Sequence, residues 1–227
     1  MTQEEIRREL FDKKDEKYRE FNRKLAPTKY EMIGVRLPIL RNIAKKMTEN
    51  YEESLKFTEF KYFEEVLLYG LTICYIKGDA DIKLKYLDEY LKYADNWAHI
   101  DSVTMTLKFR QGEKEKVKAK AEEYIVSQQE FVARAGVILI MKHFLGDKEI
   151  EDSLKMLEKA DSSKYYVSMA VAWCLCDAVI KAPQVAVKCL KNGNIDAATL
   201  SRTLDKCRDS FRISDDLKKE IKEMKKK

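Results

Sequence analysis

Glycine and proline are scarce, seven and three in 227 residues. A sheet protein needs turn residues about every 8–12 positions, so this shortage argues against a β-sandwich or barrel and for an all-α chain. Histidine is rarer still, with two, which leaves a zinc site short of ligands. No window approaches the roughly 18 consecutive apolar residues of a transmembrane helix. The N-terminal stretch M-T-Q-E-E-I-R-R-E-L-F-D-K-K is charged throughout and lacks the apolar core of a signal peptide. A cytoplasmic protein without a membrane partner is expected. The five cysteines, Cys74, Cys174, Cys176, Cys189 and Cys207, are an odd number. In a chain with no export signal they read as buried, reduced thiols and not as a disulfide framework. There is no G-x-G-x-x-G, no Walker loop and no H-E-x-x-H, so no cofactor or metal is expected.

What is abundant is charge and apolar surface: 37% of residues are charged and 45% hydrophobic, with a net charge of +5. That apolar share is enough for a sizeable core. Pro27, Gly34, Pro38, Gly78, Gly112, Gly146, Pro183 and Gly193 punctuate segments of about one helix each. The periodicity predicts helices over 59–77, 82–93, from Asp95 or Asn96 to about 109, then over 114–126, 130–145, 149–159 and 163–181. Shorter ones begin near Pro183, Ile195 and Asp215. Helix pairs recur at roughly 35–40 residues, the size of a HEAT-type unit. The expected architecture is a single domain over 1–227, a HEAT-like helical repeat solenoid with a concave face. The C-terminal 218–227 segment mixes lysine with glutamate and reads as a solvated helix end.

Three segments carry residues that a plain core does not call for. In D-N-W-A-H-I-D-S-V over 95–103, Trp97 and Asp101 are four apart and share a helical face. Asp101 falls inside the helix, where aspartate has poor propensity. It is either a solvated surface residue or a carboxylate in a partly desolvated site beside an indole. In F-V-A-R-A-G-V-I-L-I-M over 131–141, Arg134 is the sole charge. It is either a structural ion-pair partner between helices or a guanidinium for a phosphate oxygen. In Y-Y-V-S-M-A-V-A-W-C-L-C-D over 165–177, Tyr166, Met169, Trp173 and Asp177 form one stripe, and Val167, Val171, Leu175 and Ala178 another. One stripe suffices for a core, which frees the other for a ligand. His99 lies about 200° around the helix from Trp97, and neither it nor His143 has a nucleophile beside it, so a hydrolase triad is not supported.

Together these segments resemble the AlkD family of bacterial DNA glycosylases. The resemblance rests on G-V-R-L-P followed by basic residues over 34–41, on W-x-x-x-D-S from Trp97 to Ser102, on F-V-A-R-A over 131–135, and on Tyr165 and Tyr166 followed by Trp173. It covers most of the chain. It implies a HEAT-like solenoid that removes N3- or N7-alkylated purines from double-stranded DNA. Residue by residue, it implies that Asp101 is the catalytic carboxylate, that Trp97 and Trp173 are the indoles lining the cleft, and that Arg134 is the cleft arginine near the DNA backbone. Two positions depart from the pattern. Asn96 stands where members of the family can carry a second tryptophan, and Leu25, with Tyr30 nearby, stands where an aromatic residue is found.

The chemistry is coherent with that implication. A cationic alkylpurine is already a good leaving group and needs no acid. The deoxyribose, which becomes oxocarbenium-like, needs a fixed negative charge, and indole faces suit the same cation. Arg36, Arg41, Lys45, Lys46, Arg202, Lys206, Arg208 and Arg212 are the candidate phosphate contacts, each with a solvated surface charge as its plain alternative. The expectation is a monomeric glycosylase whose four site residues meet on one basic surface. The alternative is a non-catalytic HEAT-like module that binds DNA structure or a protein.

Overall fold

A computed structural model of the chain describes residues 1–146 and 149–224. The order of helices is α1 (Gln3–Asp12), α2 (Glu16–Leu25), α3 (Leu37–Met47), α4 (Tyr51–Ser54), α5 (Phe63–Tyr75), α6 (Ala80–Leu91), α7 (Trp97–Thr104), α8 (Lys114–Ile125), α9 (Glu130–His143), α10 (Ile150–Leu157), α11 (Tyr165–Lys181), α12 (Pro183–Asn192), α13 (Ala197–Asp209) and α14 (Asp215–Glu223). The protein is all-α, as glycine and proline scarcity predicts. Among the described residues the one extended pairing is a single bridge between Glu31 and Tyr62. No described helix is long and apolar enough to cross a membrane. The described cysteines are free thiols, and burial pushes those of Cys74 and Cys174 up. Most of α14 is solvated, as the alternating lysines and glutamates predict; residues 225–227 of that expectation lie outside the described residues.

The chain divides into two compact units, Met1–Val117 and Lys118–Lys227. The first is organised around α5, F-E-E-V-L-L-Y-G-L-T-I-C-Y, which is buried on every side except at Tyr75. A helix apolar all round belongs at the centre of its neighbours, and α5 packs on α3, α6 and α7. Leu40, Ile43, Leu67, Leu68 and Leu71 form the core between α3 and α5. Gly70 sets the approach of the other two helices. A Cβ there would lie 2.4 Å from Val103 Cγ2 and 2.7 Å from the Tyr90 ring.

Two carboxylates at the start of α5 are buried, and each is fully engaged. Glu64, 1% exposed, accepts the backbone N–H groups of Ile33 (3.0 Å), Gly34 (2.7 Å) and Val35 (3.2 Å). Consecutive amides can all face one anion only when the chain curls around it. Gly34 makes this possible with φ +95°, a conformation that side chains disfavour. A Cβ at that position would also meet Arg19 Cβ and Asp15 O at 2.6 Å. The G-V-R-L-P segment is thus a cradle for a carboxylate of its own chain. Glu65 accepts from Arg7 Nε at 2.7 Å and from the amides of Lys61 and Tyr62, which ties α1 to the start of α5.

The second unit is organised around α11, which packs on α9, α12 and α13. Its Val167, Val171, Leu175 and Ala178 stripe is buried, as expected, while Tyr166, Met169, Trp173 and Asp177 remain half-exposed. Two expected helices are shorter than their sequence pattern. The 59–77 segment becomes helical only at Phe63, because Lys61 O and Phe63 N are taken by Glu31. The helix at Asn96 stops at Thr104 and does not reach about 109. Hydroxyls of Thr104 and Thr106 turn back onto Ile100 O and Ser102 O. Such side-chain bonds compete with continuation of the helix.

Candidate functional site

In the first unit Trp97 and Asp101 lie one turn apart on α7. Asn96, 1% exposed, caps that helix by accepting from the amides of Ala98 (2.9 Å) and His99 (3.1 Å). A capping asparagine is worth about 1 kcal/mol. Asp101 is therefore well inside the helix, as predicted. This cap occupies the position where members of the family can carry a second tryptophan.

The cap is one part of a wider polar junction. Asp95 accepts from Thr28 Oγ1 (2.9 Å), Lys29 N (2.7 Å) and Asn96 Nδ2 (2.8 Å). His99 is wholly buried. Its Nδ1 lies 3.1 Å from Asp95 Oδ1 and its Nε2 3.1 Å from Phe63 O, and its ring stacks on Phe63 at 4.3 Å. A carbonyl only accepts, so Nε2 carries a hydrogen. Tyr90 donates to His99 O at 2.9 Å, and Tyr30 to Tyr93 O at 2.9 Å. The loop after α2, the start of α5, the end of α6 and the start of α7 all meet here.

The indole is held as well. Trp97 Nε1 donates to Leu25 O at 3.0 Å, at the last residue of α2. The half-buried Trp97 thus has its polar edge bonded and cannot turn about its side-chain torsions without losing that bond. Leu25, which stands where the family pattern has an aromatic ring, contributes its carbonyl and leaves its side chain 49% exposed. Asp101 is half-buried on the same α7 face.

The electrostatics of the junction give a pH signature. Burial by itself raises the Asp95 carboxyl, but hydrogen bonds with His99, the Lys29 amide and Thr28 outweigh it and hold the group at about 2 against an ordinary 3.8. The folded protein therefore binds fewer protons than the unfolded chain, and the stabilisation is present above pH ~4 and disappears as pH falls through ~2. Holding the carboxyl that far below its ordinary value corresponds to about 2 kcal/mol. Asp95→Asn is expected to be less stable than the parent by about that amount at neutral pH, with the gap closing as pH falls from 4 towards 2. Urea unfolding at a series of pH values checks this; a gap that stays constant down to pH 2 contradicts it.

In the second unit Arg134 is 5% exposed and donates from Nη1 to Tyr166 O at 2.7 Å. Glu130, one turn earlier on α9, accepts from the Tyr166 amide at 2.7 Å. The pair grips both backbone groups of one residue in the first turn of α11. Phe131 and Tyr166 have ring centroids 5.2 Å apart, and Tyr165 and Tyr166 likewise 5.2 Å. Arg134 thus has a structural role beside any functional one. A hydrogen bond from a charged donor contributes about 1.5–3 kcal/mol. Arg134→Ala is expected to lose that much in denaturant unfolding, and a variant as stable as the parent would show that the bond to Tyr166 does not support the fold. Trp173 lies half-exposed two turns further along α11. At the end of its stripe Asp177 holds Lys181 at 3.0 Å and Arg212 at 3.1 Å.

The candidate phosphate contacts separate into two groups. Arg36 bonds Asp15 at 2.8 Å and lies over the Tyr18 ring; Lys46 bonds Glu9 at 2.8 Å; Arg208 bonds Asp205 and Asp209, each at 2.9 Å; and Arg212 bonds Asp177. Arg202 donates to Ser168 Oγ and stacks over Tyr165 at 5.3 Å. Arg41, Lys45 and Lys206 have no carboxylate within ion-pair distance among the described residues. Sequence reasoning put all eight on one footing. It took Asp95 only as a candidate cap and His99 only as a residue without a nucleophile, and it passed over Glu64, although paired acids opening an apolar helix, and D-N-W-x-H at the mouth of another, are visible in the sequence.

A comparison with curated proteins finds no match. A family model described as DNA alkylation repair enzyme matches residues 6–204, which include α7, α9 and α11 with Trp97, Asp101, Arg134 and Trp173. The chain belongs to the DNA alkylation repair enzyme family, which makes it an enzyme of DNA repair and a DNA-binding protein.

Proposed function

We propose that the protein is a monofunctional DNA glycosylase that excises cationic N3- and N7-alkylated purines from duplex DNA. The observation that carries this reading is the way α7 presents Asp101. The carboxylate is half-buried inside a helix whose start is pinned by the Asn96 cap and the Asp95–His99 junction, one turn from an indole locked by its bond to Leu25 O. Catalysis by a charge requires that the charge be fixed before the reaction, so that no reorganisation is needed as the transition state forms.

In the proposed reaction the bond between sugar C1′ and the alkylated base nitrogen breaks, and its electron pair neutralises the departing base. Positive charge develops on C1′ and the ring oxygen. Asp101 stabilises that charge and orients water, which adds at C1′ and releases a proton. Trp97 and Trp173 offer π faces that attract the same cation. Arg134 takes a backbone phosphate near the lesion. The single experiment that tests the reading is release of 7-methylguanine or 3-methyladenine from methylated duplex DNA by the purified chain. Release is the expected result, and a protein that binds such DNA without releasing either base is not a glycosylase for them.

A further inference from the structure

We infer that Arg41 and Lys45 of α3, with Tyr75 and Thr106, form an anchoring site for one backbone phosphate of the DNA strand, directly against the helix that carries Asp101. The inference rests on the DNA-binding reading above and adds to it which cations hold the strand and where. Three independent features carry it.

The first is charge that the fold leaves unneutralised. Arg36 and Lys46, on either side along the same stretch of chain, are each bonded to a carboxylate at 2.8 Å. Arg41 and Lys45 have no such partner among the described residues. They are four apart on α3, so both project from one face. The second feature is unused hydrogen-bonding capacity. The one hydrogen bond described for Arg41 is long, 3.4 Å from Nη2 to Thr106 Oγ1, and its enclosed Nε meets no acceptor among the described residues. A guanidinium offers five donors in a fork suited to a phosphate. Nε is enclosed and out of a ligand's reach, so it is the Nη edge of the fork, engaged only by that long bond, that is left for an oxyanion. The third feature is the floor of the site. Lys45 Nζ lies 5.4 Å from the centre of the Tyr75 ring, at the end of α5. Burial raises the Tyr75 hydroxyl above its ordinary value, so it stays protonated and able to donate.

The chemistry selects a phosphodiester. The four side chains, Arg41, Lys45, Thr106 and Tyr75, are cations or hydroxyls, which suits an acceptor with negative charge. The connection to catalysis is short. Thr106 Oγ1, which accepts from Arg41, donates to Ser102 O at 2.7 Å, and Ser102 follows Asp101 in the chain. A phosphate held by Arg41 and Lys45 therefore fixes the strand relative to α7, which makes both residues positioning groups and not catalytic ones.

The test is the salt dependence of binding to a short unmodified duplex, measured by fluorescence anisotropy with the full chain. Each lost phosphate contact lowers the slope of log K against log salt by about 0.9. Arg41→Gln and Lys45→Gln should each lower it by roughly that, and Lys46→Gln, whose lysine serves Glu9, should leave it unchanged. Lys45 is exposed, so its variant remains informative if Arg41→Gln folds poorly. An unchanged slope in Lys45→Gln, or equal losses in all three variants, overturns the site while the DNA-binding reading stands. A parent protein whose binding ignores salt overturns both. Replacing chloride by inorganic phosphate at matched ionic strength should not displace the duplex; displacement by millimolar phosphate would assign the site to the free anion and overturn the inference.

Discussion

Asp101→Asn is expected to slow single-turnover release of 7-methylguanine by about 10²–10³-fold, the usual loss when one preorganised electrostatic group is removed. Asparagine keeps the size and hydrogen-bonding shape of the side chain and deletes its charge, so the change isolates electrostatics from packing. Duplex affinity should stay level or rise, because a negative charge near phosphates is lost. Trp97→Ala and Trp173→Ala should each cost less in rate, since a π face supplies a weaker field than a full charge. Trp97→Ala has an added structural effect through the lost bond to Leu25 O. Single-turnover measurement separates these effects from product release. Equal rates for parent and Asp101→Asn would remove Asp101 from the chemistry.

The second large effect is on stability, far from any reacting atom. Glu64→Ala should lower the unfolding free energy by about 3–5 kcal/mol, the scale of breaking a buried ionic group away from its partners. Three amides, of Ile33, Gly34 and Val35, would lose their common acceptor inside the protein. For a chain of this length, each kcal/mol moves the midpoint by about 2–4 °C, so a fall on the order of 10 °C is expected. Glu64→Gln should cost less than alanine but remain destabilising. One amide oxygen can still accept, while the amide NH₂ would face a backbone N–H. Excision per folded molecule should be unchanged in either variant, because Glu64 holds the loop before α3 and touches none of the proposed site. A thermal melt within about 1–2 °C of the parent, which corresponds to only about half a kcal/mol, would contradict the cradle.

These two residues illustrate how the proposed function and the fold are divided in the first unit. Asp101 is exposed enough to meet a ligand because other groups, Asn96, His99 and Gly70, absorb the demands of packing around α7. Glu64 is wholly internal and directs its charge to its own backbone. In the second unit Arg134 does both: it supports Tyr166 from within an apolar helix and remains the cation proposed to meet DNA.

The amino-acid sequence by itself determined the helices and their buried faces. Scarce glycine and proline, with apolar residues at helical spacing, placed α8, α9 and α11 within a few residues of their observed ends. The two stripes of α11, the isolated charge of Arg134 and the interior position of Asp101 were equally legible, because all are relations between residues three or four apart on one helix. Only the tertiary structure decided what holds those residues. Trp97 is bonded to the Leu25 carbonyl, His99 to that of Phe63, Arg134 to that of Tyr166, Asp95 to the Lys29 amide, and Glu64 to the amides over 33–35. Tertiary structure likewise decided that Arg36 and Lys46 are paired with carboxylates while, among the described residues, Arg41 and Lys45 are not. The physical reason is that most of these partners are main-chain groups. Nearly every residue carries the same N–H and C=O, so no side chain marks in advance which of them will be brought within hydrogen-bonding distance of a given tryptophan, arginine or carboxylate.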